Sequence, residues 1–209
     1  MVWHTLQAFA RAPQIDEVLV VVSPDDQQMD ALFKQYALDW SGASIRAERI
    51  GGASRAASVL AGLRHLSRSG ADESDWVLVH DAARCLIEPA FIAELIAACQ
   101  DDAVGGLLAM PLPDTLKTAQ HDRATATVTR HDKWLAQTPQ MFRLGALLKA
   151  LAFEEQSGFA GITDEASAME RQGLSPRLVA ASGHNFKVTY PQDFLLAEAV
   201  LAMRHKGQT

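Results

Sequence analysis

The chain has 209 residues, of which 48% are hydrophobic, with 19 basic and 25 acidic side chains and a net charge of −6. This size and apolar content predict one folded domain and exclude disorder, and the acidic balance disfavours binding to nucleic acid or an anionic membrane. No apolar run approaches the roughly 18 residues that a transmembrane helix needs. Cys85 and Cys99 have no metal-ligand or redox spacing, which indicates a cytoplasmic protein.

Short β-branched runs alternate with helical periods through the first half of the chain. Ser54 is predicted to cap one of the helices. Because strands and helices alternate, the sequence predicts an α/β domain with a mostly parallel sheet that is covered on both faces. The predicted strands are 18–23, 45–48, 76–80 and 105–110, and the predicted helices are 27–38, 55–68 and 89–99.

The pattern changes from Pro111 to about Gln137, where apolar residues become rare and threonines frequent. His121-Asp122 is suited to a hairpin turn, so we predict a two-stranded β-arm over 111–137 that leaves the sheet and needs a partner to pack against. No linker divides the chain, and we expect a single domain over 1–209. Three more helices are predicted: one over 143–155, one that follows a cap at Thr163, and one that follows a capping box at 189–192. Two more strands are predicted at 177–181 and 185–188.

Ligands of parallel sheets bind beyond the carboxyl ends of the strands, which here are followed by 51–58, 80–84 and 185–189. Asp81 follows the predicted strand 76–80, where a carboxylate is costly unless a cation uses it. A divalent metal bridging to a phosphate is one such use. The alternative is an aspartate that caps the turn or pairs with Arg84.

Other residues near these strand ends have two interpretations each. Gly51 and Gly52 open a helix, where bare backbone amides can approach a nucleotide, but the pair is also an ordinary turn. Lys187 can hold a phosphate, or it can lie on a solvated face. Arg130 and Thr138, taken alone, are ordinary surface residues. His80 is expected to be structural.

Several motifs, taken together, resemble those of the 2-C-methyl-D-erythritol 4-phosphate cytidylyltransferase family, the IspD-type nucleotidyltransferases. The most specific are His80-Asp-Ala-Ala-Arg84 and Thr163-Asp-Glu-Ala-Ser167. The resemblance extends over residues 2–200. The further motifs are Gly51-Gly52 with Arg55-Ala-Ala-Ser-Val59, Pro113-Asp-Thr-Leu-Lys117, Thr127-Val-Thr-Arg130, Gln137-Thr-Pro-Gln140 and Asn185-Phe-Lys-Val-Thr189.

The resemblance implies a Rossmann-like sheet and a β-arm that is exchanged between the subunits of a homodimer. It implies a Mg²⁺-dependent reaction of CTP with 2-C-methyl-D-erythritol 4-phosphate, an early step of non-mevalonate isoprenoid biosynthesis. The products are 4-diphosphocytidyl-2-C-methyl-D-erythritol and pyrophosphate. Since a phosphate oxygen attacks the α-phosphorus in line, the protein contributes positioning and charge neutralisation.

The resemblance also implies roles for individual residues. Lys187 and Arg130 act as the catalytic cations, and Asp81 holds the metal. The arm of the neighbouring subunit delivers Arg130 and Thr115. The nucleotide is bound by Gly51, Gly52, Ser58, Asp81 and Ala82, and the sugar phosphate by Asp81, Arg84, Thr115, Arg130, Thr138 and Lys187.

The sequence departs from the family pattern before Val2. Family members place a strand, a glycine-rich phosphate loop with an arginine, and a Pro-Lys-Gln-Tyr segment ahead of a helix similar to Val2–Phe9. Losing one preorganised donor of this kind costs on the order of 10²–10³ in rate, so we expect almost no catalysis without that loop. Three explanations are open for the absence of this segment: a misassigned start codon, a truncation, or a gene product that binds ligands without catalysing.

Two alternatives to the implied function stay open. One is a ribitol 5-phosphate cytidylyltransferase of the same superfamily, against which the pattern of Thr127–Arg130 and Thr138 favours methylerythritol phosphate. The other is a non-catalytic dimer that binds nucleotides.

Overall fold

The computed structural model describes residues 1–36 and 43–206. The end of the predicted helix 27–38 lies outside these residues. The helices are α1 (Val2–Ala10), α2 (Met29–Gln35), α3 (Arg55–Arg68), α4 (Pro89–Cys99), α5 (Leu144–Glu155), α6 (Glu165–Arg171) and α7 (Pro191–Lys206). The strands are β1 (Glu17–Val21), β2 (Ser44–Glu48), β3 (Trp76–Val79), β4 (Gly105–Pro111), β5 (Leu116–Gln120), β6 (Arg123–Val128), β7 (Trp134–Arg143) and β8 (Arg177–Ala180).

The main sheet has four strands in the order β3-β7-β4-β8. Strands β3, β4 and β8 run in one direction, because β3 and β4 are both antiparallel to β7 and β4 is parallel to β8. Strands β1 and β2 form a separate parallel pair. The predicted α/β class is therefore confirmed, and three of the four strands of the main sheet run in one direction, although β7 makes both of its pairings antiparallel.

Helices cover both faces of the main sheet. Successive residues of a strand point to opposite faces, so Phe142 packs with α3, α5 and α6, while Met141 packs with α1 and α4. Leu107 and Leu108 of β4 divide between the same two clusters. This double cover fixes the strand ends, and with them the loops that follow.

A cavity of about 780 Å³ lies between β1 and β3. Side chains of both strands line it, along with Leu63 of α3 and Phe9 of α1. Within the described residues, β1 pairs only with β2 and β3 only with β7. The cavity reaches Asp81 and Ser58 at the strand ends, so it opens towards the predicted ligand site.

The arm is a hairpin of β5 and β6, and its turn is at His121 and Asp122, which have φ of 49° and 61°. Its side chains are exposed throughout, with Val128 only partly covered. At its base, where β7 begins, the side chains of Trp134 and Leu135 are also exposed. The arm thus has no core of its own.

Three local predictions were wrong. Residues 185–188 form no strand, because the buried Asn185 side chain donates to Thr138 O and Gln137 Oε1 and ties the segment to β7. Asp164, not Thr163, caps α6, since its carboxylate accepts from Ser167 N. The start of α7 is held by Asp193, whose carboxylate accepts two backbone N–H bonds, and not by the predicted capping box at 189–192.

In the part of the chain that the structure describes, no helix combines the length and apolarity needed to cross a bilayer.

Candidate active site

The three segments predicted to surround a ligand meet at the ends of β2 and β3. Residues 51–54 follow β2 and lead into α3, and residues 80–84 follow β3. Lys187, from the segment before α7, reaches the same place and contacts Asp81. The segments meet through the Asp81 carboxylate, which contacts both Arg55 of α3 and Lys187.

Asp81 is the centre of this cluster, and its side chain is 13% exposed. Its Oδ1 accepts from Arg55 Nε at 2.7 Å, and its Oδ2 is 3.0 Å from Lys187 Nζ. Burial alone raises the pKa of Asp81, but Arg55 and Lys187 outweigh it and hold the pKa below its ordinary value. Asp81 is therefore an ionised carboxylate with one cation on each oxygen.

Arg55 joins Asp81 to a second carboxylate, Glu165, at the start of α6. Its Nη1 and Nη2 donate to the two oxygens of Glu165 at 2.7 and 2.9 Å. Burial works against the charge on Arg55, yet the two carboxylates raise its pKa above the ordinary value. Burial raises the pKa of Glu165, and Arg55 opposes that rise.

The backbone of Asp81 is held by Thr138 of β7, which precedes a cis proline. Asp81 N donates to Thr138 Oγ1 at 3.0 Å, and the same oxygen is 3.0 Å from His80 Nδ1. His80 Nε2 lies 3.2 Å from Arg84 O, which can only accept, so Nε2 carries the proton. Thr138 then donates to Nδ1 of a neutral ring, and the hydroxyl keeps one free acceptor site.

His80 has the structural role that its position suggested. Its ring packs against Phe9 at 5.1 Å between centroids. Burial lowers the pKa of His80 to about 4. A neutral imidazole therefore orients Thr138, and Thr138 orients Asp81.

Arg84 does not pair with Asp81 in the way the alternative interpretation required. Its guanidinium donates to Asn185 O at 2.8 Å and to Ala136 O at 3.2 Å, and burial lowers its pKa. Beside it, Ala82 O accepts a hydrogen bond from Thr5 of α1 at 3.1 Å. These contacts tie the loop after β3 to α1, to β7 and to the segment that carries Lys187.

The glycine loop is built differently from expectation, because its amides are not bare. Gly51 N donates to Val22 O at 2.8 Å and Gly52 N donates to Ser58 Oγ at 3.0 Å. A Cβ on Gly51 would lie 2.7 Å from Val22 O, and one on Gly52 would lie 2.6 Å from Ala57 Cβ. The glycines therefore let the loop pack closely onto β1 and α3, and Ser58 closes it.

Thr115 just before β5 and Arg130 just after β6 lie at the base of the hairpin, and both are exposed. No hydrogen bond or ion pair between described residues joins either side chain to Asp81 or Lys187. The structure thus separates these two from the cluster within one chain.

The sequence reasoning did not assign Arg55 and Glu165 to the site. They are 110 positions apart, and their only signal was membership of the motifs around Gly51-Gly52 and Thr163–Ser167. Among the described residues, no group of three or more acidic, histidine or cysteine side chains is arranged to hold a metal ion. A divalent cation at Asp81 would have to take most of its ligands from substrate and water.

The arrangement brings an exposed lysine, an ionised aspartate and a tightly packed glycine loop together at one end of an α/β sheet. Comparison with known proteins gives a consistent result. The family described as IspD, 2-C-methyl-D-erythritol 4-phosphate cytidylyltransferase, matches residues 1–203.

Individual relatives agree with this match. A bifunctional enzyme IspD/IspF of Albidiferax ferrireducens is 58% identical over 209 residues, all of this chain and 48% of the relative. A 2-C-methyl-D-erythritol 4-phosphate cytidylyltransferase of Chromobacterium violaceum is 50% identical over 205 residues, 98% of this chain and 86% of the relative. The chain thus spans about half of the first relative and most of the second.

A solved structure described as 4-diphosphocytidyl-2C-methyl-D-erythritol synthase has a similar fold. Its TM-score is 0.86 at 40% sequence identity, and the match covers 96% of this chain and 89% of that one.

Proposed function

Because this chain belongs to the 2-C-methyl-D-erythritol 4-phosphate cytidylyltransferase family, we propose that it transfers the cytidylyl group of CTP to 2-C-methyl-D-erythritol 4-phosphate. The observation that carries the proposal is the pairing of Asp81 with Lys187 and Arg55 at the strand ends. It brings an anionic group and two cations together after β3, and a charge cluster of this kind suits the alignment of substrate phosphates.

In the proposed reaction, a phosphate oxygen of the sugar phosphate forms a bond to the α-phosphorus of CTP. The bond from the α-phosphorus to the oxygen that bridges the α- and β-phosphates breaks, and pyrophosphate leaves. No proton has to be moved by the protein in this step, so positioning and charge neutralisation carry the catalysis.

Lys187 is the proposed cation for the phosphates. Its side chain is 44% exposed, so the ammonium group can turn from Asp81 towards an incoming phosphate. Arg84, held by two carbonyls, is proposed to line the sugar-phosphate side, and Ala82 to lie against the ribose. Thr138 is proposed to accept one hydrogen bond from the sugar phosphate with its remaining lone pair.

We propose that Gly51, Gly52 and Ser58 recognise the cytosine. Since the amides of both glycines are already bonded inside the loop, the contacts available there are the backbone carbonyls and the close approach that the missing side chains permit. A carbonyl acceptor suits the exocyclic amino group of cytosine, which is a donor.

A magnesium ion is the proposed cofactor, and the donor set fits it. Asp81 alone would hold the ion, and Mg²⁺ is commonly bound by one or two carboxylates with substrate phosphates and water. When bound, the ion neutralises charge on the phosphates. The chain's own part is to keep Asp81 ionised and pointed at the strand ends, which Arg55 and Thr138 do.

We also propose a homodimer in which the arm carries Arg130 and Thr115 into the site of the second subunit. The exposure of the whole hairpin and its lack of a core support this proposal. Sedimentation at micromolar concentration is expected to show a dimer, and a monomer would contradict the shared site. A cytoplasmic location is proposed because Cys85 and Cys99 are free thiols.

Pyrophosphate release tests the proposed activity. Protein purified from its source cells, with its intact mass recorded, is expected to turn over CTP with methylerythritol phosphate faster than with ribitol 5-phosphate. Faster turnover of ribitol 5-phosphate would change the assigned substrate. A dimer that binds CTP without turnover of either acceptor would favour the non-catalytic alternative.

A further inference from the structure

Glu165 is the most deeply buried charged group near the site, and its side chain is 1% exposed. A carboxylate in that position is costly unless it is paired with good geometry. Arg55 satisfies it with two parallel N–H bonds of 2.7 and 2.9 Å. Such a fork fixes the plane of the guanidinium, so it also fixes the direction in which Nε points.

The direction of Arg55 Nε is what matters for Asp81. Nε donates to Asp81 Oδ1 at 2.7 Å, a contact that the pairing of Arg55 with Glu165 does not itself need. Stability alone does not account for this construction, because apolar residues of similar volume commonly replace a buried ion pair without loss.

Glu165 is itself held firmly at the start of α6. Gln140 of β7 donates to the Asp164 carboxylate at 2.8 Å and accepts from Ala166 N at 2.7 Å. The residues on both sides of Glu165 are thus tied to the central strand of the sheet. The support for Asp81 runs from β7 through α6 and Arg55.

The two oxygens of Asp81 are held in unequal ways. Oδ1 is bound by Arg55, which the buried Glu165 orients, whereas Oδ2 is paired with Lys187, whose side chain is 44% exposed. Lys187 is therefore the partner that can leave. When it turns to a substrate, Oδ2 is released while Oδ1 stays fixed.

We propose that Glu165 is a positioning residue for the transfer reaction, which acts through Arg55 to present Asp81 Oδ2 to the bound ligands. This inference rests on the proposed function, and it adds residues that the motifs did not assign. It predicts that the charge of Glu165 is needed for turnover although Glu165 touches no substrate.

The test is Glu165→Gln, which keeps the volume and removes the charge and one side of the fork. Loss of such a supporting partner typically costs 10- to 100-fold, so kcat is expected to fall by about that factor while KM for CTP stays within about threefold. Crystals of the variant are expected to show Asp81 Oδ1 separated from Arg55 Nε.

A matched control is a second buried carboxylate, Glu154, which pairs with an arginine of α6. Glu154 of α5 is 2% exposed and pairs with Arg171 Nε of α6 at 3.0 Å, and neither residue contacts Asp81. Glu154→Gln is expected to lower thermal stability without lowering kcat. An equal fall of kcat in both variants, or an unchanged kcat in Glu165→Gln, would overturn the proposal.

Arg55→Lys is the second variant, because it keeps the charge and removes the fork. It is expected to lower kcat by about tenfold or more, and the double variant is expected to be no slower than the slower single one, since both act through one contact. Multiplicative losses would contradict the proposal. If wild-type protein has no turnover, the proposed function fails, and the position of Asp81 in the crystals still decides the positioning role.

Discussion

Asp81 shows how one side chain is made ready by residues that do not react. Arg55 and Lys187 each occupy one of its oxygens, and Thr138 holds its backbone. A carboxylate fixed in this way loses little entropy when a ligand arrives, which is the advantage of preorganisation. These contacts allow the effect of each neighbouring residue on rate and on stability to be predicted.

Lys187→Ala is expected to lower the rate by on the order of 10²–10³, because it removes the charge that is proposed to hold the phosphates. The free energy of unfolding is expected to change by less than about 1 kcal/mol, since the pair with Asp81 is half exposed on the lysine side. Steady-state kinetics and urea unfolding measure the two effects. Lys149→Ala, at an exposed position of α5, is the control. A rate equal to that of the control would remove Lys187 from the site.

The buried His80 is expected to make the stability of the fold depend on pH. Its pKa is about 4 in the folded protein and near its ordinary value of 6.5 when unfolded, so the unfolded state binds more protons between these values. The contribution of His80 to the free energy of unfolding is fully present above pH 6.5, and it falls by roughly 3 kcal/mol as the pH drops to 4. Thermal unfolding of wild type and His80→Asn, in buffer with a chelator, should show a flatter pH profile for the variant. Parallel profiles would count against this.

The sequence located Asp81 and Lys187 because each has a local signal, a charged residue directly after or within an apolar run. It could not locate the pair of Arg55 and Glu165, since an ion pair between residues 110 positions apart leaves no periodicity in either segment. The sequence predicted only part of the role of Thr138. Its hydroxyl turned out to be used by His80 and by Asp81 N, a contact that depends on the packing of β7 against β3.

At the scale of elements, the loop between β2 and α3 combines a cap with a close approach. Ser54 accepts from Ala57 N at 3.1 Å, as predicted, and Gly52 packs against the same residue. The cap was predictable because it depends on four consecutive residues. The approach was not, because it depends on how α3 lies against the sheet.

Gly52→Ala tests that loop. The added Cβ would lie 2.6 Å from Ala57 Cβ, so the loop must shift. Overpacking of this kind costs about 1–3 kcal/mol, and a similar loss in binding would weaken CTP affinity about tenfold. Calorimetric titration with CTP measures it. Gly183→Ala is the control, because its nearest neighbour, Met110 Sδ, is at an ordinary 3.6 Å. Equal affinities in the two variants would exclude a close fit at Gly52.

The strand β7 had no clear sequence signal, although it lies at the centre of the main sheet. Its middle reads Gln137-Thr-Pro-Gln140, which is polar and contains a proline, and both features argue against a central strand. These polar side chains can be buried because they are hydrogen-bonded. Gln137 donates to Ser182 O, and Gln140 donates to the Asp164 carboxylate at the start of α6. The pattern departs from that of an ordinary strand where the site is assembled.

At the scale of the whole molecule, the described strands form three sheets, and the four-stranded sheet is packed more fully than the β1–β2 pair. Strand β4 is buried and pairs on both sides, whereas β1 is only partly buried and borders the cavity of about 780 Å³. Length and composition predicted one domain, but they contained no information on which of its strands are buried and which border a cavity.

Native-state hydrogen exchange should reveal this difference. Amides of β1 and β2 are expected to exchange through local opening, well before those of β4 and β7, because few buried contacts hold the smaller sheet. Mass spectrometry of exchanged peptides measures the order. Residues 116–128 of the arm serve as the exposed reference. Equal protection of β1 and β4 would show that the two sheets open together.

Trp134 gives the arm an optical signal of its own. It begins β7 at the base of the hairpin and is 39% exposed, whereas Trp76 lies under the Arg143 guanidinium at 3.7 Å and Trp3 stacks on Tyr36. Indole emission moves to shorter wavelength when water is excluded from the ring. A second subunit that covers the arm would therefore shift the fluorescence emission of Trp134 to shorter wavelength. Dilution of unlabelled protein would then report the association constant, and a Trp134→Phe variant would identify the part that Trp134 contributes among the four tryptophans.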